Sequence, residues 1–252
     1  MHQHIVRILS LSILILLINF TNLFAGDKIE ELFLRSDYPS VIEEASRILS
    51  QDKTSPNLDK VYFYLGLSNM KLGNFAEARN DFNIILREFP NSKLKERVNL
   101  SIADLYFLEE NYPEAKNYYD NLAKDTNSNI LSLIYYKLAQ TNMKLGKWQL
   151  AKEYLEKLKN EFPLSFETSL AKNINVYDEF FTVQVGSFID ADKARNLSDE
   201  IKSAGLDSYI VINQLQDKTF YRVRVGKFAS LKEAKELEKS LTEKNYPTKI
   251  FP

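Results

Sequence analysis

The sequence predicts a multidomain protein, in which an all-α solenoid of helical repeats is followed by a small α+β domain. Three observations predict this fold class. The chain has 252 residues, which is enough for two domains of the usual size. The segment Asn69–Ala78 recurs with few changes at Asn142–Ala151 and indicates repeated helical units. The strand-like alternation of Phe181–Phe188 recurs at Tyr221–Phe228 and indicates a duplicated α+β unit.

Residues 1–25 have the pattern of an export signal peptide. The amino terminus and Arg7 supply positive charge ahead of the apolar run Ile8–Phe20, which is shorter than the roughly 20 residues that a membrane-spanning helix needs. We expect cleavage after Ala25. An uncleaved segment would instead tether the chain to the inner membrane. In both cases the rest of the chain is predicted to lie in the periplasm, as part of the cell envelope.

The composition argues against most catalytic and metal chemistry. The sequence has no cysteine, and its two histidines, His2 and His4, lie in the predicted signal peptide. Cysteine nucleophiles, Ser-His catalysis, and thiolate or imidazole metal sites are therefore not expected, and neither is a cofactor. The 33 basic and 34 acidic residues give a net charge of -1, which argues against binding to nucleic acid through bulk charge.

Aromatic residues mark successive helical units at intervals of 36 or 37 residues: Tyr38, Phe75, Tyr112 and Trp148. A glycine or an asparagine shortly before three of them predicts the turn between two antiparallel helices. Small residues such as Gly66 and Ala78 are expected to let the paired helices approach closely. Pro90 and Pro163 are expected to close the second helix of their units. Because one such unit cannot bury its apolar stripe alone, neighbouring units must stack.

This pattern resembles the tetratricopeptide repeat. One unit carries the family's characteristic positions as Tyr62, Leu65, Gly66, Ala78, Phe82 and Pro90. The last full unit carries them as Tyr135, Leu138, Ala139, Ala151, Leu155 and Pro163. We therefore expect a helical repeat domain over residues 27–176. The resemblance implies a surface that holds a protein or peptide partner.

Residues 177–252 are predicted to form the second domain. Each half reads strand, helix, strand, with helices at about 191–204 and 231–244 and strands at Phe181–Val185, Ser208–Asn213, Phe220–Val225 and Thr248–Phe251. The order βαββαβ predicts a four-stranded antiparallel sheet with both helices on one face, as in ferredoxin-like and RNP-like domains. Gly186 and Gly226 are expected to end their strands.

Alternation along the strands predicts which side chains lie on the open face of this sheet. The apolar series of the first and third strands should pack under the helices. The opposite series contains Thr182 and Gln184 on the first strand and Phe220, Arg222 and Arg224 on the third. An open face that is polar, basic and aromatic is more typical of a binding surface than of a merely solvated one.

At these residues the chain resembles the SPOR domain of bacterial envelope and cell-division proteins. The match covers residues 180–252, through VQVGSF in the first half and YRVRVG in the second. The resemblance implies binding to peptidoglycan glycan strands without stem peptides, which concentrate at the division septum. The resemblance assigns that binding to Gln184, Ser187, Phe220 and Arg222. We add Arg224 to this set because it is predicted to lie on the same open face. Where the family often has tryptophan, Phe220 keeps a stacking surface without the indole N–H.

Three alternative functions differ in class. RNA-recognition domains share the βαββαβ order, but residues 180–252 hold only 12 basic against 10 acidic residues and lack the long aromatic signature of the third strand. A peptidoglycan-remodelling enzyme needs two facing acids, whereas the adjacent pairs Glu43-Glu44 and Glu109-Glu110 point in different directions on a helix. A protein scaffold whose SPOR-like domain has lost sugar binding is the third alternative.

The sequence therefore favours a non-catalytic adaptor of the cell envelope over an enzyme. The C-terminal domain would bind denuded glycan strands at the septum while the helical repeats recruit a protein partner. Nucleic acid is not expected as a partner, and the membrane is expected only through an uncleaved N-terminal segment.

Overall fold

The structure is a computed structural model that describes residues 28–51, 57–125, 129–172, 174, 179–215 and 217–252. The predicted signal peptide, residues 1–25, lies outside the described residues. The chain divides into two compact units, of which the first ends at Tyr118 and the second runs from Tyr119 to Pro252. Within the described ranges no helix is long and apolar enough to cross a membrane.

The predicted all-α architecture of the N-terminal part is confirmed. Residues 28–34 are helical, and the described residues then contain eight helices before the first strand: Tyr38–Gln51, Leu58–Leu72, Phe75–Glu88, Lys95–Leu108, Tyr112–Leu122, Leu131–Lys144, Trp148–Glu161 and Phe166–Ala171. Two of the helical hairpins turn at glycines in the left-handed region, Gly73 with φ 82° and Gly146 with φ 69°. A glycine is favoured there because it has no Cβ.

The helices of the first complete hairpin pack closely at Gly66, as the sequence predicts. A Cβ atom at this position would lie 2.7 Å from Cε1 of Phe82, closer than two carbon atoms can approach without a shift. Phe82 and Ala78 on the facing helix are fully buried. The small residues of the repeat therefore set the distance between the paired helices.

A buried polar pair crosses the same hairpin. Asn69 Nδ2 donates a hydrogen bond to Asp81 Oδ2 at 2.9 Å, and both residues are buried. Burial raises the pKa of Asp81 from 3.8 to about 6, while the hydrogen bond from Asn69 acts in the opposite direction. The folded hairpin therefore holds a proton on Asp81 at pH values where the unfolded chain releases it.

Replacing Asp81 with asparagine is expected to stabilise the first unit at neutral pH by roughly 1 to 2 kcal/mol, after allowance for solvent screening. The folded pKa is raised, so the stability linked to the proton is fully present below about pH 4 and is lost as the pH rises through about 6. The difference in unfolding free energy between Asp81→Asn and the wild type, measured by urea denaturation, should therefore grow over this interval. A difference that does not change with pH would contradict this account.

The second unit joins the last helical hairpin to the sheet domain. The Leu131–Lys144 and Trp148–Glu161 helices pair through the turn at Gly146, and the Phe166–Ala171 helix follows them. The ring of Trp148 lies 5.1 Å from the ring of Phe181, which begins the first strand and is fully buried. Lys152 Nζ also lies 2.6 Å from Glu179 Oε1, just before that strand. The hairpin and the sheet domain thus share packed side chains.

The C-terminal domain has the predicted order βαββαβ. Its strands are β1 (Phe181–Phe188), β2 (Ser208–Leu215), β3 (Lys218–Phe228) and β4 (Lys249–Phe251), with helices Ala191–Ser203 and Leu231–Glu243. The four strands are antiparallel in the order β2-β3-β1-β4. Apolar residues of the sheet and both helices form one core under the helices: Val183, Val185, Ala194, Ile201, Val223, Val225 and Leu241. This confirms the predicted four-stranded sheet with helices on one face.

The prediction that Gly186 and Gly226 end their strands is wrong. Both glycines lie inside longer strands, because β1 continues to Phe188 and β3 to Phe228. The register between β1 and β3 shifts at two places, once between Gln184 and Gly186 and once in the stretch that contains Gly226. Gly226 has φ 70° and donates its N–H to the carbonyl of Asp207 at 2.8 Å. These glycines accommodate β-bulges and do not terminate the strands.

Candidate functional site

The structure brings the five predicted glycan-binding residues together on one face of the sheet. Gln184 on β1 lies opposite Arg224 on β3, and Ser187 lies opposite Arg222. Phe220 precedes Arg222 by two residues on β3, so its side chain shares the same face. This face, opposite the two helices, is called the open face below.

A β-bulge explains how Gln184 and Ser187 come to share the open face. Residues three apart on a regular strand point to opposite faces. Here the register shifts between Gln184 and Gly186, so that Val185 remains in the core while Ser187 pairs with Arg222. One extra residue in β1 thus aims both polar side chains at the same surface.

The charge of the described strands is entirely positive. Together they contain five basic residues and no acidic one: Lys218, Arg222, Arg224, Lys227 and Lys249. Arg222 and Arg224 lie at the centre of the open face and are half-buried, so they act in a medium less polar than bulk water. This arrangement favours an anionic ligand, and guanidinium groups suit carboxylates in particular.

The open face also includes residues of β4 that were not predicted from the sequence. Lys249 on β4 pairs with Gln184, and Phe251 pairs with Thr182. The Arg224 guanidinium carbon lies 5.0 Å from the centre of the Phe251 ring, and Lys249 Nζ lies 5.3 Å from it. The alternation that placed Arg222 could have placed these residues, since Ile250 between them packs on the core. The ring of Phe251 therefore extends the face towards β4.

Amide oxygens in this region lack a partner. The Oε1 atom of Gln184 and the Oδ1 atom of Asn213, which lies on β2 opposite Phe220, are buried and accept no hydrogen bond from the described residues. Leaving a buried acceptor unsatisfied costs about 1–3 kcal/mol.

The helical part of the second unit carries a separate cavity of about 510 Å³. Its floor is apolar, with Leu155, Leu158, Ala171 and Ile174, and its other lining residues are Lys152, Glu156, Lys159, Thr168 and Lys172. Lys152 is already paired with Glu179, and Lys159 and Lys172 beside the apolar lining suit a partner segment that is both apolar and acidic. The sequence alone indicated no residue for the protein partner.

One glutamate of each pair considered for catalysis, Glu44 and Glu109, is the partner of a basic side chain. Glu44 is buried and accepts hydrogen bonds from Arg47 at 2.8 and 2.9 Å, which hold the pKa of Glu44 below its usual value. Glu109 pairs with Arg79. Within the described ranges, no group of three or more histidine, cysteine, aspartate or glutamate side chains could hold a metal ion.

Comparison with protein families and solved structures is consistent with this architecture. Residues 177–251 match the SPOR domain, and residues 60–92 and 134–165 match the tetratricopeptide repeat. SPOR domains bind peptidoglycan, and tetratricopeptide repeats mediate contacts between proteins; both are binding modules. No curated protein matches the chain.

The similar solved structures are tetratricopeptide-type proteins. PilW, a type IV pilus biogenesis factor, is 20% identical, with 60% of this chain and 67% of that chain covered and a TM-score of 0.51. A tetratricopeptide repeat protein from Parabacteroides merdae is 16% identical, with 60% and 57% covered and a TM-score of 0.50. The pilF protein of Pseudomonas aeruginosa is 25% identical, with 60% and 65% covered and a TM-score of 0.45. The chain thus spans less than two thirds of the length of the last two.

Proposed function

This chain carries tetratricopeptide repeats and a C-terminal SPOR domain, and on that premise we propose that it is a non-catalytic adaptor of the bacterial cell envelope. The open face binds glycan strands from which the stem peptides have been removed. The helical repeats hold a protein partner. The protein acts in the periplasm and is concentrated at the division septum, where such glycan is exposed.

The observation that carries this proposal is the acid-free, basic and aromatic open face. Removal of the stem peptides leaves lactyl carboxylates on the glycan, and Arg222 and Arg224 present planar forks that can bind them. The C–H faces of sugar rings stack on aromatic rings such as Phe220. The amide of Gln184 carries both a donor and an acceptor, which suits the hydroxyl and N-acetyl groups of a sugar. Each chemical feature of the ligand thus has a counterpart on the face.

The protein partner is supported by the cavity in the second unit. Lys159 and Lys172 lie beside its apolar lining, so the partner would contribute a segment with apolar and acidic side chains. The non-catalytic role is supported by the ion pair between Glu44 and Arg47, since the lowered pKa of Glu44 makes this carboxylate poorly suited to act as a general acid.

Purified protein is expected to sediment with peptidoglycan sacculi, and to sediment more strongly after an amidase has removed the stem peptides. Each digested stem exposes a carboxylate for the basic face, so the gain should shrink as salt is added. The double variant Gln184→Ala, Arg222→Ala should lose this gain. The matched control is Arg195→Ala, which removes the same charge from the exposed helix side and should behave as the wild type.

Equal sedimentation before and after amidase treatment would contradict recognition of denuded glycan. If Arg195→Ala loses as much sedimentation as the double variant does, then the binding depends on net charge and not on the open face.

A further inference from the structure

The two edges of the sheet differ in how they are protected from pairing. β4 has only three residues, begins with Lys249, and lies between Pro247 and Pro252. Short length, charge and proline are the devices with which natural sheets prevent edge-to-edge association. β2 forms the opposite edge and has none of them: its eight residues, SYIVINQL, contain no charged residue and no proline.

β2 also keeps a regular geometry along its whole length. Its pairing with β3 runs without a register shift from Ser208 to Leu215, and among the described strands β3 is its only partner. The other side of β2 therefore presents a row of backbone N–H and C=O groups. Tyr209, Ile210, Val211 and Ile212 are all strong strand formers.

Large apolar side chains are exposed on this strand. Ile212 is 64% and Leu215 is 60% exposed, on a strand whose Ile210 already packs on the core under the helices. An exposed, regular and apolar edge strand is a template for another strand.

We propose that this edge pairs with the β2 edge of a second copy of the chain, antiparallel, around a two-fold axis at Val211. This register sets Ile210 of each copy beside Ile212 of the other, on the helix side of the joined sheet. On the open face it sets Tyr209 beside Asn213. Because the strand is uncharged, pairing with itself brings no like charges together, and the same surface serves both copies.

The basic residues do not oppose this assembly. In the joined sheet the two β3 strands are separated by two β2 strands and therefore lie about 14 Å apart. The two copies of Arg222 are thus separated by more than the Debye length, which is about 8 Å at physiological salt. Both open faces also point to the same side. The paired area is small, so the dimer is expected to be weak and to depend on concentration.

Sedimentation velocity of the purified protein over increasing concentration tests the proposal, and we expect a reversible monomer–dimer equilibrium. Ile212→Lys should weaken dimerisation about tenfold or more, because it replaces an apolar contact in the paired edge with a charge. The matched control is Ile189→Lys, since Ile189 is also 64% exposed but lies outside the strands. It should leave the equilibrium unchanged.

A cysteine introduced at the axis tests the register directly, because the natural sequence has no cysteine. Val211→Cys should form an intermolecular disulfide under mild oxidation, while Ile189→Cys should not. A protein that stays monomeric at every concentration would overturn the proposal. So would a dimer that Ile212→Lys leaves intact and Val211→Cys does not link, because another surface would then hold the copies. None of these outcomes depends on what the open face binds.

Discussion

Replacing Gln184, Ser187, Phe220 and Arg222 together with alanine is expected to reduce glycan binding by about 100-fold or more. A hydrogen bond to a charged group contributes about 1.5–3 kcal/mol, and stacking on an aromatic ring contributes about 0.5–1.5 kcal/mol. Loss of both, together with the amide of Gln184, exceeds the roughly 2.8 kcal/mol that corresponds to 100-fold. All four side chains lie on the surface of the sheet away from its core, so the fold should persist.

Under the proposed function the wild-type protein concentrates at the division septum, and the variant should lose this localisation when both are followed as fluorescent fusions in dividing cells. The measurement needs a folded protein, which circular dichroism and the unfolding midpoint of the purified variant can establish. The control carries the same number of changes on the helix side of the domain, at Arg195, Lys202, Lys235 and Lys239. If the folded quadruple variant still concentrates at the septum, then the open face does not direct localisation.

Much of the fold could be predicted because the sequence contains internal copies. The return of Asn69–Ala78 at Asn142–Ala151 and of Phe181–Phe188 at Tyr221–Phe228 places the helices and strands close to their observed positions. The strand ends were less accurate. Glycine is common where a strand ends, which is why the sequence predicts strand ends at Gly186 and Gly226. A β-bulge also favours glycine, because both situations require unusual backbone angles. Whether such a glycine ends a strand or lies in a bulge depends on how the neighbouring strand pairs with it.

The register of the site could not be derived from alternation. Gln184 and Ser187 are three residues apart, and strict alternation puts them on opposite faces. Only the resemblance to the family predicted that both contribute, and the bulge between Gln184 and Gly186 supplies the physical reason. Lys249 and Phe251 were missed although the strand Thr248–Phe251 was predicted, because the two faces were assigned only for the first and third strands.

Similar motifs in the helical part also differ in their buried contacts. Asn69 and Asn142 hold equivalent places in the recurring segment. Asn69 donates to Asp81 on the facing helix, whereas Asn142 donates to the carbonyl of Leu138 in its own helix at 2.8 Å. The residue that corresponds to Asp81 in the later unit is Tyr154, whose hydroxyl donates a hydrogen bond to Asp120 Oδ1 at 3.3 Å. A contact between two helices depends on the residues of both helices, and here only the asparagine of the first helix recurs.

The contact between the last helical hairpin and the sheet leads to the largest expected effect on stability. Phe181→Ala is expected to lower the unfolding free energy of the second unit by about 3–5 kcal/mol, the usual cost of truncating a fully buried phenylalanine. The loss has two parts, the apolar area of the ring and its contact with Trp148 at 5.1 Å. Trp148 is the only tryptophan, so its fluorescence during urea denaturation reports on this contact.

The matched control is Phe166→Ala, which removes the same side chain from a position that is 72% exposed. It should change the unfolding free energy by less than about 0.5 kcal/mol. If the tryptophan fluorescence of Phe181→Ala and of Phe166→Ala shows the same urea midpoint, then the ring of Phe181 does not hold the hairpin and the sheet together. If instead the midpoint falls and the emission of Trp148 shifts to that of an exposed indole before global unfolding, the hairpin separates from the sheet first. In that case the packed rings are what fixes the open face relative to the last repeat.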